Sequence, residues 1–257
     1  MSAQLQPADL ERRFGALRQL YGDAGYARLR AARIAVVGVG GVGSWAAEAL
    51  ARSGVATLVL VDLDHVAESN INRQVQALGA TLGQAKVQAL RERIADVHPG
   101  CEVLTVEEFV DAGNWPALLP CPVDVVIDAC DQQRAKTAMA AWALAAARRF
   151  VTVGAAGGKQ LPQRVDVDDL GAATHDPLLA GLRQRLRREH GAPRLGRIGL
   201  RCVFSREPVR QPAEACDTDG SLNCQGYGSS VTVTASFGMA AAAEAVAQWL
   251  ATPLPER

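Results

Sequence analysis

Apolar residues fall in short blocks along the first half of the chain, separated by helix-like stretches and turn residues. Residues 33–37 form an apolar run that leads into a cluster of glycines, residues 44–52 are helix-like, and residues 57–61 form a second apolar run. Strand, glycine-rich turn, helix and strand in that order predict a parallel βαβ unit. A helix is expected over residues 84–97, ended by His98-Pro99-Gly100. Strands are expected at 102–106, 123–127 and 150–153, with an Ala-rich helix at 135–148 between the last two. Up to Gly154 this alternation argues for a doubly wound sheet. Beyond it the texture changes. Residues 163–167 and 200–204 read as strands separated by a helix and an Arg-rich loop, and 209–228 reads as an irregular loop rich in Pro, Gly, Asp and Cys. A last strand is expected at 231–234, before an apolar terminal helix at 235–251.

The fold class is therefore α/β: a Rossmann-like doubly wound sheet, mainly parallel in the first half, with a mixed C-terminal extension of the sheet. A length of 257 residues suits one such domain (1–257). It divides into an N-terminal helical segment (1–30), a Rossmann-like half (31–154) and a second half (155–257).

Composition narrows the picture. There are 27 basic and 27 acidic side chains, so any polyanion or membrane contact must come from a local patch. The basic residues are almost all arginine, which singles out the three lysines, Lys86, Lys136 and Lys159. The six cysteines are scattered, with no CxxC pair, so a reduced, cytoplasmic protein without zinc or disulfides is expected. The amino end lacks the apolar core of a signal peptide. The terminal apolar run carries Glu244 and is shorter than the roughly 20 residues of a membrane span.

The loop Gly38-Val39-Gly40-Gly41-Val42-Gly43 joins the first strand to its helix. Gly38, Gly40, Gly41 and Gly43 let backbone approach phosphate, and the helix amino terminus offers N–H groups. Asp62, at the end of the second strand, is placed for ribose hydroxyls. These features imply nucleotide binding but leave the reaction open, since an NAD enzyme shows the same fingerprint. The stretch from Asp62 and Asp64 through Ser69-Asn70-Ile71-Asn72-Arg73-Gln74 discriminates. It resembles the MoeB/ThiF/ubiquitin-activating superfamily, which binds ATP and adenylates a carboxyl group. Lys86, thirteen residues past Arg73, and Asp128-Ala129-Cys130-Asp131 match that superfamily too. The resemblance implies that residues 31–154 bind ATP, with Asp62, Asp64, Ser69 and Asn70 at the nucleotide. It implies further that Arg73 and Lys86 hold the triphosphate and that Asp131 holds Mg²⁺. A carboxylate is already ionised near neutral pH, so the chemistry needs cations rather than a general base. Arg13-Phe14-Gly15 resembles the superfamily's amino-terminal segment, in which an arginine crosses a homodimer to the partner's ATP site. Arg13 is the candidate for that role and Arg18 the fallback.

Later stretches are similar to the tRNA threonylcarbamoyladenosine dehydratase branch. They are Gly154-Ala155-Ala156-Gly157-Gly158, Asp176-Pro177-Leu178, Leu182-Arg183-Gln184-Arg185-Leu186, Cys202-Val203-Phe204-Ser205 with Glu207, and Val231-Thr232 to Phe237-Gly238. The branch implies cyclisation of threonylcarbamoyladenosine beside the tRNA anticodon: the threonyl carboxylate is adenylated, and ring closure releases AMP. Since the substrate carries its own nucleophile, Cys224 is expected to be structural or incidental. Arg183, Arg185, Arg187, Arg188, Arg194, Arg197 and Arg201, set against the single anion Glu189, form the expected tRNA-binding cluster. Two other classes stay open at this point. One is activation of a ubiquitin-like or sulfur-carrier protein, with a cysteine desulfurase or sulfur acceptor as partner. The other is an NAD-dependent oxidoreductase or a non-catalytic nucleotide-binding module.

Overall fold

A computed structural model of the chain describes residues 8–210 and 227–251. Seven strands form one sheet: β1 (Arg33–Val37), β2 (Thr57–Val61), β3 (Glu102–Val106), β4 (Val125–Asp128), β5 (Arg149–Val153), β6 (Val165–Asp169) and β7 (Arg201–Ser205). Their order across the sheet is β3-β2-β1-β4-β5-β7-β6. The pairs from β3 to β7 are parallel, and β6 joins β7 antiparallel, which is the mixed extension expected from the sequence. Seven α-helices accompany it: α1 (Leu10–Phe14), α2 (Ala16–Leu29), α3 (Gly43–Arg52), α4 (Lys86–Val97), α5 (Gln133–Ala145), α6 (Pro177–Glu189) and α7 (Val231–Ala251).

The apolar runs are continuous because both faces of the sheet are covered. Ile34 and Val36 of β1 face a core shared with α3, α4 and α7, while Ala35 and Val37 face one shared with α5 and α6. The edge strand β6 is only half buried, and it alternates Val165 and Val167 with Asp166 and Asp168.

Two boundaries differ from the sequence reading in an instructive way. The expected strand at 231–234 is the first turn of α7. Val231, Val233 and Thr234 carry strand propensity, but Val233, Thr234, Phe237, Gly238, Ala241 and Ala245 are buried at helical spacing. Tertiary packing overrides the local preference: a Cβ on Gly238 would lie 2.6 Å from the Val42 carbonyl oxygen, so α7 and α3 cross almost backbone to backbone. Similarly, residues 163 and 164 belong to a 3₁₀ turn (Pro162–Arg164), and β6 starts only at Val165.

The turn from β6 and the loop entering β7 are locked together by Asp169, which is 2% exposed. Its carboxylate accepts from the backbone N–H groups of Ile198 (2.7 Å), Gly199 (2.7 Å) and Gly171 (2.8 Å). Burial pushes this carboxyl up, but the three N–H donors and Arg197 outweigh it and hold the pKa below the ordinary carboxylate range. A depressed folded-state pKa stabilises the fold above the unfolded value and loses that contribution as pH falls through the folded one. Asp169→Ala is expected to lower the unfolding free energy by about 2 kcal/mol near neutral pH. In urea titrations the gap between variant and wild type should narrow below about pH 4; a gap independent of pH would show that the carboxylate's charge is not what holds the loop.

Candidate nucleotide and acceptor site

The carboxyl ends of β1, β2 and β4 meet at the glycine loop. Gly38 leaves β1 with φ +82°, and a Cβ there would sit 2.9 Å from Cys130 N. At Gly43 a Cβ would lie 1.8 Å from Gly38 O, so the first helical turn closes on the loop only without side chains. Asp62 organises this bend from the neighbouring strand: one oxygen accepts from Val39 N (2.8 Å) and the other from Asp64 N (2.9 Å). Burial raises the Asp62 pKa against the opposing pull of Lys86 and these N–H groups. A carboxylate has about four lone-pair sites, so Asp62 can still take a ribose hydroxyl.

The segment after Asp62 folds back over the loop. Arg73 packs beside Gly41, whose Cβ would lie 3.4 Å from Arg73 Cδ. The Arg73 guanidinium donates to Ser69 O (2.6 Å) and Asn72 Oδ1 (2.9 Å), and its carbonyl accepts from Trp45 Nε1 (3.0 Å). Ser69 therefore contributes its carbonyl here, while its side chain is exposed. Asn70 is turned inward, and its Oδ1 accepts from Ala67 N (3.0 Å) to close a 3₁₀ turn. Gln76 Nε2 reaches the Val39 carbonyl (2.9 Å) from a fully buried position beside the buried Gln74. The sequence reading missed Ser44, Trp45 and Gln76 as supports of the site. A run of glutamines at 74 and 76 flanked by apolar residues was the available signal.

Lys86 opens α4, is 7% exposed, and donates to Asp64 Oδ2 at 2.7 Å. Asp131 feels the fields of Lys136, Asp64 and Lys86, and burial is the largest influence, raising its carboxyl. The structure thus gathers Gly38–Gly43, Arg73, Lys86 with Asp64, and Asp131 on one edge of the sheet. Among the described residues no three His, Cys, Asp or Glu side chains could cage a metal ion. Mg²⁺ needs no such cage when phosphates and water complete its shell, and one or two carboxylates suffice. Asp131 with Asp64 in its field fits that donor set.

Beneath Asp131 lies a buried ion pair. Lys136 Nζ donates to Asp128 Oδ2 at 2.9 Å, and both side chains are 0% exposed. Thr152 Oγ1 adds a bond to the same oxygen (2.7 Å), and Cys130 Sγ lies 3.0 Å from Asp128 Oδ1. Burial acts to lower the Lys136 pKa, but Asp128 and its hydrogen bond more than compensate, and the ammonium is held above its ordinary value. Burial and Asp128 push the Cys130 thiol far up, which disfavours the thiolate form. Cys224 lies outside the described residues.

The amino-terminal arginines are engaged within their own chain. Arg13 Nη1 donates to Asp96 O (2.8 Å) and Val97 O (2.6 Å), capping the carboxyl end of α4. Lys86 stands at the other end of that helix, roughly 17 Å away at 1.5 Å per residue. Arg18 bonds Glu11 and Asp23 and stacks on Tyr26. The Arg-rich cluster divides in the same manner. Arg183 Nη1 donates to Leu170 O and Ala173 O, and Arg201 bonds Glu244 with Asp168 at 3.8 Å, so these two serve the fold. Arg187 holds Pro193 O and Arg188 pairs with Glu189. Arg194 and Arg197 are exposed and Arg185 is half-buried at the surface. α6 starts at the catalytic edge, where Asp176 accepts from Ala155 N, and ends near the amino end of β7. Arg185 and Arg194, and Arg197 beside Asp169 at 4.0 Å, thus lie on α6 and the loop after it, apart from the glycine loop.

Comparisons with known proteins agree with this geometry. The ThiF family matches residues 13–256. The tRNA threonylcarbamoyladenosine dehydratase of Haemophilus influenzae is 37% identical over 241 residues, covering 92% of each chain. The Escherichia coli protein of that name is 39% identical over 251 residues, covering 93% of this chain and 94% of that one. A crystal structure of the Escherichia coli dehydratase in complex with ATP superposes with a TM-score of 0.86 at 38% identity, covering 96% of this chain and 98% of that one. The chain belongs to the ThiF family and, within it, to the tRNA threonylcarbamoyladenosine dehydratases.

Proposed function

We propose that the chain uses ATP to close the threonylcarbamoyl group of a tRNA adenosine into a ring. The observation that carries this reading is the convergence of the glycine loop, Arg73, the Lys86–Asp64 pair and Asp131 on one sheet edge, in a chain of this family. A carboxylate oxygen of the threonyl group attacks the α-phosphorus of ATP, and pyrophosphate departs with the bonding electrons of the P–O bond. The carbamoyl oxygen then attacks the activated carbonyl carbon, AMP leaves carrying the former carboxylate oxygen, and the ureido nitrogen gives up a proton. The net change is loss of one water. An attached nucleophile reacts at high effective concentration, so no protein thiol is required.

Two anions must meet in the first step, and the residues present address that problem. Arg73 can present a planar fork to phosphate oxygens, and Lys86 a point charge. The glycine loop and the amino end of α3 offer N–H groups without a negative side chain in the way. Asp131 would hold Mg²⁺, which neutralises phosphate charge when bound. Arg73 and Lys86 are preorganised by their bonds to Asn72 and Asp64, which ATP displaces or shares. In this reading the enzyme is a homodimer in which Arg13 leaves its α4 cap to reach the partner's triphosphate. In this reading the enzyme meets its tRNA substrate in the cytoplasm. No helix among the described residues is long and apolar enough to cross a membrane.

Mass spectrometry of nucleosides, after incubating the protein with ATP, Mg²⁺ and threonylcarbamoylated tRNA, tests the reading directly. Loss of one water from the modified adenosine supports it. AMP release that instead requires a small protein's carboxy terminus would move the chain to the carrier-activating class.

Lys86→Ala and Asp131→Ala are each expected to cut AMP formation by about 100-fold or more. Their thermal midpoints should stay near wild type, because the Lys86–Asp64 pair is open to solvent on its Asp64 side, where the side chain is 44% exposed. Wild-type AMP formation in either variant would remove the assignment.

Mixing Arg13→Ala subunits with Lys86→Ala subunits should restore part of the activity, since one site of each heterodimer keeps both groups. No recovery, with subunit exchange demonstrated, would refute the crossing arginine.

Neutralising Arg185, Arg194 and Arg197 to Gln together should reduce the log–log salt slope of tRNA binding by about 2 to 3. Arg201→Gln should leave that slope unchanged and lower stability instead, because Arg201 is bound to Glu244. Equal slopes for the triple variant and wild type would exclude a phosphate track.

A further inference from the structure

One strand beyond β4, the carboxyl ends of β5 and β7 carry a cavity of about 300 Å³ that no step above uses. Thr174, His175, Ala180, Arg183, Pro208 and Val209 line it. Its volume lies at the lower end of small-molecule sites, at about 300 Å³. Ligands of doubly wound sheets lie along this edge, outside the carboxyl ends of the strands.

The lining is held rigidly from below. His175 adopts a left-handed φ of +57°, which a non-glycine residue keeps only where its surroundings impose it. Here they do. Lys159, 2% exposed, donates to the carbonyls of His175 (3.0 Å) and Glu207 (2.7 Å), tying the two walls together. The next residue, Asp176, is buried, caps α6 through Leu179 N (3.0 Å) and accepts from Ala155 N (2.9 Å). The fields of both Lys159 and Lys136 reach Asp176. Buried charges of alternating sign therefore run from Asp128 under the Asp131 turn, through Lys136, Asp176 and Lys159, to Glu207 under the cavity.

An adjoining depression of about 270 Å³ shares Pro208 and Val209 and is also lined by Glu207 and Arg210. Glu207 is 3% exposed. Its Oε2 accepts from Gln160 N and Leu161 N, whereas Oε1 accepts no hydrogen bond among the described residues and has Arg210 Nε at 3.5 Å. A buried carboxylate oxygen that, among the described residues, has this ion-pair contact but no hydrogen bond keeps acceptor capacity for a ligand N–H group.

Taken together, apolar walls of Ala180, Pro208 and Val209, a histidine at the rim, and a buried carboxylate oxygen in the adjoining depression describe a site for an unstacked nucleoside. We propose that this cavity receives the modified adenosine of the tRNA, with the purine between the apolar walls and the His175 ring, and Glu207 Oε1 accepting an N–H of the threonylcarbamoyl group. The threonyl carboxylate is then directed along the edge toward Asp131. This assignment rests on the dehydratase reading given above and adds to it the residues that select the substrate.

The test uses tRNA with and without the threonylcarbamoyl group, and two variants. Ala180→Trp fills the cavity from an exposed helical position. His175→Gly removes the ring and suits the left-handed backbone, so it should fold at least as well as wild type. Wild type is expected to bind modified tRNA about tenfold more tightly than unmodified tRNA, a difference of about 1.4 kcal/mol. Both variants should bring that ratio close to one while retaining affinity for unmodified tRNA and for a fluorescent ATP analogue. A ratio preserved in both variants, or absent in wild type, overturns the cavity assignment. Failure of the dehydratase reading is seen separately, as absence of dehydrated nucleoside from wild-type enzyme.

Discussion

The Asp128–Lys136 pair occupies the point where β1, β4, β5 and α5 converge, and its burial sets terms for the whole catalytic edge. Two opposite charges removed from water are tolerable only when their hydrogen-bonding capacity is met, and here Thr152, Cys130 and the Asp128 carbonyl meet it. Removing one partner of such a pair typically costs about 3–5 kcal/mol, because the other charge is left uncompensated. The geometry that follows is narrow. The turn after β4 can lie only where Asp128 reaches Lys136, and Gly38 then passes within a Cβ's width of Ala129 and Cys130. The position of the glycine loop is in this way tied to a fully buried ion pair.

From that point the edge divides into two territories with different physics. Toward β1 and β2 it offers N–H groups, two cations and a carboxylate, a set suited to polyphosphate. Toward β5 and β7 it offers apolar walls with a few fixed polar groups, a set suited to a planar base. Between the two territories lie the buried side chains of Asp128, Lys136, Asp176 and Lys159. A single methylene lost at Lys136 or Lys159 would be felt at both ends, since neither side chain has solvent to relax into.

Charge counted along the chain overstates the surface available to a polyanion. Seven arginines lie between 183 and 201, yet Arg183 satisfies two carbonyls and Arg201 an acidic residue of α7. Arginine has five N–H donors, and near loop carbonyls it is as useful for closing a turn as for binding phosphate. The more exposed arginines stand at the end of α6 and on the loop after it, where Asp169, with Arg197 beside it, pins the loop's return into β7.

Much of this was legible in the sequence by itself. The succession of strands and helices in the first half is marked by periodicity, and the glycine loop and the candidates Asp62, Arg73, Lys86 and Asp131 lie in contiguous motifs whose meaning depends on near neighbours. Only the tertiary structure decided the remainder, because it depends on groups far apart in the chain. The strand propensity of residues 231–234 gave way to the crossing with α3 at Gly238. Asp62 became the support of the glycine loop because β2 lies beside β1, and Gln76 found the Val39 carbonyl across 37 residues. Lys136, Lys159, Asp176 and Glu207 showed no common purpose in sequence. Folding brought them into one buried file of alternating charge, a relation that neither spacing nor composition can encode.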